Sequence, residues 1–266
     1  MNRRAFLRTL AGASIAGAGA CAYGEDTHDV EITRVPVQIG LQKPLRVVAL
    51  GDLHFDPVCD EAYLAHVVDL VNGLQPDLIA YTGDFVTSRL DRVRDLAAIL
   101  ARAQAPLGNF SIEGNHEFWT NTGYVQRMLD RLAGIRMLRN ETTPVPNEDN
   151  VYLTGLGSFS VGYPQPKVVD RTPPGTRHIL LVHEPDSFAQ LTDSRIRLQI
   201  SGHTHGGQVR LPYVGALVLP SWGRDYQQGL YAAADGRQLY VNRGIGTLTC
   251  HFRINCRPEI TVFELT

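Results

Sequence analysis

Short apolar runs alternate with amphipathic stretches along most of this chain, and the runs stop abruptly at glycine, aspartate, asparagine or histidine. Residues 30–39 (VEITRVPVQI) alternate loosely and predict a first strand. Leu45 to Leu50 is a short run of strand type that ends at Gly51-Asp52. Over 60–73, Leu64, Val67, Val68 and Val71 recur at helical spacing. A second run, Leu78 to Tyr81, closes at Gly83-Asp84. Val93, Leu96, Ala97 and Leu100 place a helix over 91–104, Phe110-Ser111-Ile112 ends at Gly114-Asn115-His116, and 123–133 reads as a third helix.

The second half has the same punctuation. Val151 to Leu153 predicts a strand, Ile179 to Val182 runs into His183, and Leu198 to Ile200 runs into Gly202-His203-Thr204-His205. Asp235-Gly236, between two alternating runs, predicts a hairpin over 229–242, and Ile260 to Phe263 a last strand. The Pro- and Gly-rich stretch 142–176 reads as loops. Buried strands alternating with helices predict an α/β fold with a largely parallel sheet, and the hairpin and terminal strands add antiparallel pieces. Two mixed β-sheets packed face to face with flanking helices, a four-layer α/β/β/α sandwich, accommodate the series.

Composition narrows the partners. Apolar residues make up 44% of the 266, enough for a sizeable core, while only 20% are charged and the net charge is −2. With no basic excess, no nucleic-acid partner is expected. Cys21, Cys59, Cys250 and Cys256 form no CxxC pair, which argues against a zinc ribbon or redox motif. Cys250 and Cys256 could form a local disulfide or stay as buried thiols. Residues 1–24 resemble a twin-arginine export signal, with Arg3-Arg4 before Phe6-Leu7 and a weakly apolar stretch from Leu10 to Ala22. Ala18-Gly19-Ala20 offers a cleavage site, and Ala18 to Cys21 offers a weaker lipidation site at Cys21. The expected location is the periplasm or the outer face of the cytoplasmic membrane.

Five runs end in residues able to bind a hard or borderline metal: Asp52-Leu53-His54, Gly83-Asp84, Gly114-Asn115-His116, His183, and Gly202-His203-Thr204-His205. Sites in open α/β sheets gather at the carboxyl ends of strands. Singly, each cluster is an ordinary turn or strand-end histidine; five together, each after an apolar strand, are hard to obtain by chance. In an extended backbone Asp52 and His54, two apart, would point the same way, as would His203 and His205.

In this order the set resembles the calcineurin-like metallophosphoesterase superfamily, from about Arg46 to His205. The stretches Gly206 to Pro212 and Asn242 to Thr247 resemble its exported or membrane-associated bacterial phosphodiesterase branch, which includes enzymes similar to UDP-diacylglucosamine pyrophosphatases. The resemblance implies one metallophosphoesterase domain over 25–266 that hydrolyses phosphodiester or phosphoanhydride bonds. It implies two divalent metal ions, one on Asp52, His54, Asp84 and His205, the other on Asp84, Asn115, His183 and His203. Such ions lie roughly 3.5–4 Å apart and hold a bridging hydroxide as nucleophile. Oxygen and nitrogen donors permit Mn, Fe or Zn. His116 matches the family's catalytic histidine, assisting the leaving group. Thr87 stands where many members carry an aspartate that orients that histidine, which leaves Asp56 and Glu117 as candidates for that role. Arg210, Arg224 and Arg243 are candidate contacts for a second phosphate. The apolar stretch 211–222 (LPYVGALVLPSW) is either core, or the border of a site for a small-molecule or lipid-linked phosphate substrate, or a contact with the membrane surface. Phosphomonoesterase chemistry on the same site, a metal-bound scaffold without catalysis, and a hydrolase acting on something other than phosphorus are the alternatives.

Overall fold

A computed structural model describes residues 27–55, 59–248 and 250–266 of the protein. The export signal expected over 1–24, Cys21 with it, and Asp56 lie outside the described residues.

The loosely alternating segment forms β1 (Glu31–Val37) and the first apolar run forms β2 (Leu45–Leu50). Helix α1 (Glu61–Gly73) starts where Asp60 Oδ1 accepts the Tyr63 N–H at 2.8 Å. It ends before Gln75, which takes a left-handed φ of 51°. Its buried face is Leu64, Val67, Val68 and Val71, each contributing about 1.5–3 kcal/mol by leaving water. There follow β3 (Leu78–Tyr81), α2 (Val93–Leu100), β4 (Asn109–Ser111), α3 (Asn115–Thr120), α4 (Thr122–Met128) and β5 (Ile135–Met137). Next come β6 (Glu141–Pro144), β7 (Val151–Gly155), β8 (Arg177–Leu181) and β9 (Ile196–Ser201). A two-residue ribbon, β10 (Arg210–Leu211) and β11 (Gly215–Ala216), precedes the hairpin β12 (Gly229–Ala232) and β13 (Gln238–Val241) and the last strand β14 (Glu259–Leu265).

The first sheet has the order β1-β14-β2-β3-β4-β5, with β2 to β5 parallel and β14 antiparallel to β2. The second has the order β12-β13-β9-β8-β7-β6, parallel from β13 to β7 and antiparallel at both edges. β2 after Arg46, and all of β3, read as unbroken apolar runs because both of their faces are covered. Val47, Ala49, Leu78 and Ala80 join Leu153, Ile179, Leu181 and Ile200 in the core between the sheets. Val48, Leu50, Ile79 and Tyr81 pack instead on Leu64, Val67 and Leu96 of the helices. The expected sandwich is therefore present. Its fourth layer consists of short 3₁₀ helices at Pro166–Arg171 and Pro185–Ala189, whose Val168 and Phe188 cover the outer face of the second sheet.

Three local expectations differ. The stretch 142–176 holds most of β6 and a 3₁₀ helix. β6 (ETTP) has no apolar alternation to announce it, and its proline is tolerated because the strand is an edge. The apolar stretch 211–222 does not pack in the core, for Tyr213, Val214, Leu217 and Val218 are exposed. Cys250 and Cys256 are free thiols.

One buried histidine sits away from the strand ends. His178 on β8 is held by hydroxyls, Thr154 at 2.8 Å from Nδ1 and Thr172 and Thr176 at 3.2 and 3.3 Å from Nε2. Burial, helped by the Arg195 charge, pushes its pKa down to about 4. The unfolded chain takes this proton near pH 6.5. Between those values only the unfolded state is protonated, so the stability is complete above pH 6.5 and drains as pH falls toward 4. Urea midpoints of the parent should fall across this window, and His178→Asn should flatten the fall. Equal slopes in the two proteins would contradict the assignment.

Candidate metal centre

The five motifs converge at one end of the sandwich. The first sheet brings Asp52 and His54 after β2, Asp84 after β3 and Asn115 after β4. The second brings His183 after β8, and His203 and His205 after β9. All seven side chains are buried. Asp52, His54, Asp84, His203 and His205 have positive φ, between 42° and 72°. Such backbone is uncommon outside glycine and clusters at functional sites. The i, i+2 pairs thus reach a common centre through left-handed turns, not through the extended backbone expected. The preceding glycines permit the crowding: a Cβ on Gly83 (φ 96°) would lie 2.6 Å from Gly114 N, and one on Gly114 would lie 2.1 Å from Asp84 Oδ1.

Hydrogen bonds to carbonyls fix the tautomers, because a carbonyl can only accept. His183 donates Nδ1–H to Thr82 O at 2.7 Å, so its Nε2 faces inward, 3.1 Å from Asp84 Oδ2. His203 donates Nε2–H to Ser221 O at 2.8 Å, which leaves Nδ1 for the centre. His54 Nε2 and His205 Nε2 face one another at 3.1 Å, while His54 Nε2 lies 3.7 Å from Asp84 Oδ2 and His205 Nε2 lies 3.7 Å from Asp52 Oδ1. These nitrogens and carboxylate oxygens converge as the donors of a bound cation would. Asn115 Oδ1 and His183 Nε2 are also buried without a hydrogen-bond partner. Among the described residues, Asp52, His54 and His205 form one group able to hold an ion, Asp84, His183 and His203 a second, and His54, Asp84 and His116 a third. The donors suit divalent cations.

The protonation states agree except at His183, where burial opposes the charge but the Asp84 carboxylate holds the imidazole well above its usual range, so an ion binding there would displace that proton. Burial pushes the His54 imidazole down to about 3 and holds that of His205 well below its usual range, so both are neutral, as metal binding requires. Burial opposes ionisation of Asp84, but the adjacent His183 overrides it and holds the carboxyl well below the carboxylate range. Burial pushes Asp52 up to about 7 against the pull of His183. Excess positive charge is what such buried carboxylates lack.

His116 stands beside this cage. Its N–H donates to Asp84 Oδ1 at 3.0 Å, and its Nδ1–H donates to the backbone carbonyl of Thr87 at 2.7 Å. Thr87 also sets its hydroxyl 3.1 Å from His54 Nδ1. The residue that replaces the expected aspartate therefore touches two site histidines, one through its backbone. Glu117 does something else. Its carboxylate accepts the N–H groups of Gly114, Asp84 and Phe85 at 2.9 Å each and ties two motif loops together. Its position three residues after Gly114, reaching back to that N–H, is the capping pattern that could have revealed it.

The candidate arginines stand apart from the cage. Arg243 is paired with Glu31 at 2.8 Å and Glu259 at 3.1 Å, Arg210 donates to Gly206 O at 2.8 Å, and Arg224 is exposed. Sequence reasoning missed Arg253, which is fully buried. Its Nη1 donates to the carbonyls of His205 (3.3 Å) and Cys256 (3.2 Å). Its Nη2 donates to those of Arg243 (2.9 Å), Gly244 (3.2 Å) and Gly246 (2.6 Å). No spacing or neighbour in His251-Phe252-Arg253-Ile254 signals this. A cavity of about 790 Å³ opens over the cage, with Asp84, Asn115, His116, His203 and His205 at its base.

A buried cage of oxygen and nitrogen donors at the joined strand ends of two sheets, with a histidine beside it, defines a metal-dependent hydrolase. Residues 45–207 match the family model for the calcineurin-like phosphoesterases. Over 280 aligned residues the chain is 32% identical to the uncharacterized metallophosphoesterase YkuE of Bacillus subtilis (strain 168), covering 100% of this chain and 98% of that one. It is also 32% identical to the phosphodiesterase YaeI of Escherichia coli (strain K12), over 84% of this chain and 82% of that protein. Among solved structures, TT1561 of Thermus thermophilus shares the fold, with a TM-score of 0.52 over 76% of this chain and 91% of that one at 13% identity. The chain belongs to the calcineurin-like phosphoesterase family and is a metallophosphoesterase, a metal-dependent hydrolase of phosphoesters.

Proposed function

We propose that the protein is a dinuclear phosphodiesterase. The position of Asp84 carries this reading, with Oδ2 3.1 Å from His183 Nε2 and 3.7 Å from His54 Nε2, between the two donor groups. One ion would rest on Asp52, His54, Asp84 and His205, the other on Asp84, Asn115, His183 and His203. When bound, the pair supplies Lewis acidity and a water made nucleophilic at neutral pH. Hydrolysis forms one P–O bond to that water's oxygen and breaks the P–O bond to the leaving alcohol. With Nδ1–H engaged by Thr87 O, only Nε2 of His116 can carry the proton that the leaving alkoxide takes. The name phosphodiesterase borne by the relative YaeI supports diester over monoester or anhydride substrates.

The test is turnover of bis(4-nitrophenyl) phosphate against 4-nitrophenyl phosphate by the purified full chain with Mn²⁺. The diester should be preferred. His116→Ala should lower kcat about 10²–10⁴-fold, the usual contribution of proton transfer, with two ions per chain retained by elemental analysis. Undiminished turnover with both ions in place would overturn the mechanism.

The twin-arginine pattern at Arg3-Arg4 supports action outside the cytoplasmic membrane. Arg3→Lys with Arg4→Lys should leave the protein in the cytoplasmic fraction, and unchanged export would refute that route.

A further inference from the structure

We infer that the substrate is a phosphodiester carrying a single phosphate and one long aliphatic substituent, whose chain lies along the wall from Leu217 to Pro220 with Leu248 and Phe252. The inference rests on the phosphodiesterase reading and names its substrate class.

Three observations carry it. First, the cavity that holds the cage at its base is walled largely by apolar side chains, Leu217, Val218, Leu219, Leu248 and Phe252 among them. Leu217 is 52% and Val218 78% exposed, and Trp119, at 62%, stands on the rim beside His116. Apolar groups concentrated at the mouth of a charged site are left in water at a cost, which a hydrocarbon ligand would relieve. Second, no lysine or arginine is among the described residues lining the cavity, and Arg210, Arg224 and Arg243 are all outside it. A nucleotide or a second phosphate would bring negative charge with no side-chain cation to meet it; one phosphate is matched by the metal centre alone. Third, the wall is fixed to the chemistry. The segment leaves the ribbon at Ala216 and ends at Ser221, whose carbonyl accepts the His203 Nε2–H at 2.8 Å. An aliphatic chain on this wall is therefore in register with a phosphorus atom at the cage.

The experiment uses the Mn²⁺-loaded full chain and 4-nitrophenyl alkyl phosphates from methyl to octyl, kept below their micelle concentrations. The leaving group is constant, so only the retained substituent varies. kcat/KM should climb roughly threefold to fourfold per methylene over the first several carbons, the factor for burying a CH₂ group. Thymidine 5′-(4-nitrophenyl) phosphate should lie below the octyl ester. Alkylphosphonates should show the same progression in Kd by titration calorimetry, a readout independent of turnover. Leu217→Asp, and separately Phe252→Asp, should bring the octyl-to-methyl ratio toward one, with unchanged far-UV circular dichroism as the check on folding. Methyl and octyl esters hydrolysed equally well would overturn the inference while leaving the phosphodiesterase reading intact. Failure on every diester would instead remove that reading. A flat chain-length series combined with Leu217-dependent binding to phosphatidylcholine vesicles would reassign the wall to a membrane surface and also overturn it.

Discussion

On the dinuclear reading, Asp84→Asn should reduce bound metal from two ions per chain to at most one and lower kcat/KM by at least about 10³-fold, the several kcal/mol that bound ions supply to a transition state. The substitution preserves shape, so its effect is that of charge and donor identity. Asp84 Oδ1 already accepts the His116 N–H at 3.0 Å, and Oδ2 faces the inward nitrogens of His183 and His54. An amide must turn its NH₂ toward one of these sets. Toward His116, donor meets donor and the helix start that carries His116 is pushed away. Toward the histidines, an N–H occupies the place of an oxygen donor for both donor groups. Elemental analysis and diesterase kinetics on the same preparation check the result. Two ions with more than a tenth of parental activity would show that Asp84 does not bridge.

The largest loss of stability is expected at Arg253. Replacing it with Met keeps volume but strands the carbonyls of Arg243, Gly246 and Cys256, while those of His205 and Gly244 keep the N–H groups of Gln208 and Glu259. Each buried acceptor left unpaired costs about 1–3 kcal/mol. Part of this is offset, because the parent also carries the desolvation of a buried guanidinium. A net loss of roughly 3–5 kcal/mol should remain, which for a chain of this size lowers Tm by about 10 °C. Activity should fall with it, because Gly244 and Gly246 pack directly on Asp52 and Leu53. Arg253→Lys should be nearly as damaging, since one ammonium cannot span both loops. A Tm within about 2 °C of the parent for Arg253→Met would show that water replaces the guanidinium.

What could be read from the sequence follows from what a side chain announces. Asp52, Asp84, His183 and His203 each close an apolar run, and the end of such a run is the end of a strand, so the residues of the candidate cage and the layer order were legible together. Backbone groups have no residue identity. The carbonyl of Thr87 that holds His116, and that of Ser221 that holds His203, could not be inferred from the letters at those positions. Arg253 was invisible for the same reason, because all five of its partners are main-chain oxygens. β5 and β6 were missed because three or four residues on a sheet edge need neither a long apolar run nor alternation. The left-handed turns at Asp52 and His54 come with main-chain bonds to another segment, Asp52 N–H to Gly83 O and His54 N–H to Asp84 O, each at 3.0 Å, which no local letter announces.

Asp52 follows a strand of the first sheet, yet both its oxygens accept the N–H of His203, which follows a strand of the second, at 3.0 and 3.1 Å, across 151 residues of chain. This sets an order of events during synthesis. When the first four donors have left the ribosome, the other three are still unmade, and what exists is a scatter of weak monodentate ligands without chelate geometry. Closing a loop of that length is slow compared with forming local helices. On the dinuclear reading, selective metal capture is therefore withheld until the two sheets have met, so that metal content would report completion of the longest-range contacts.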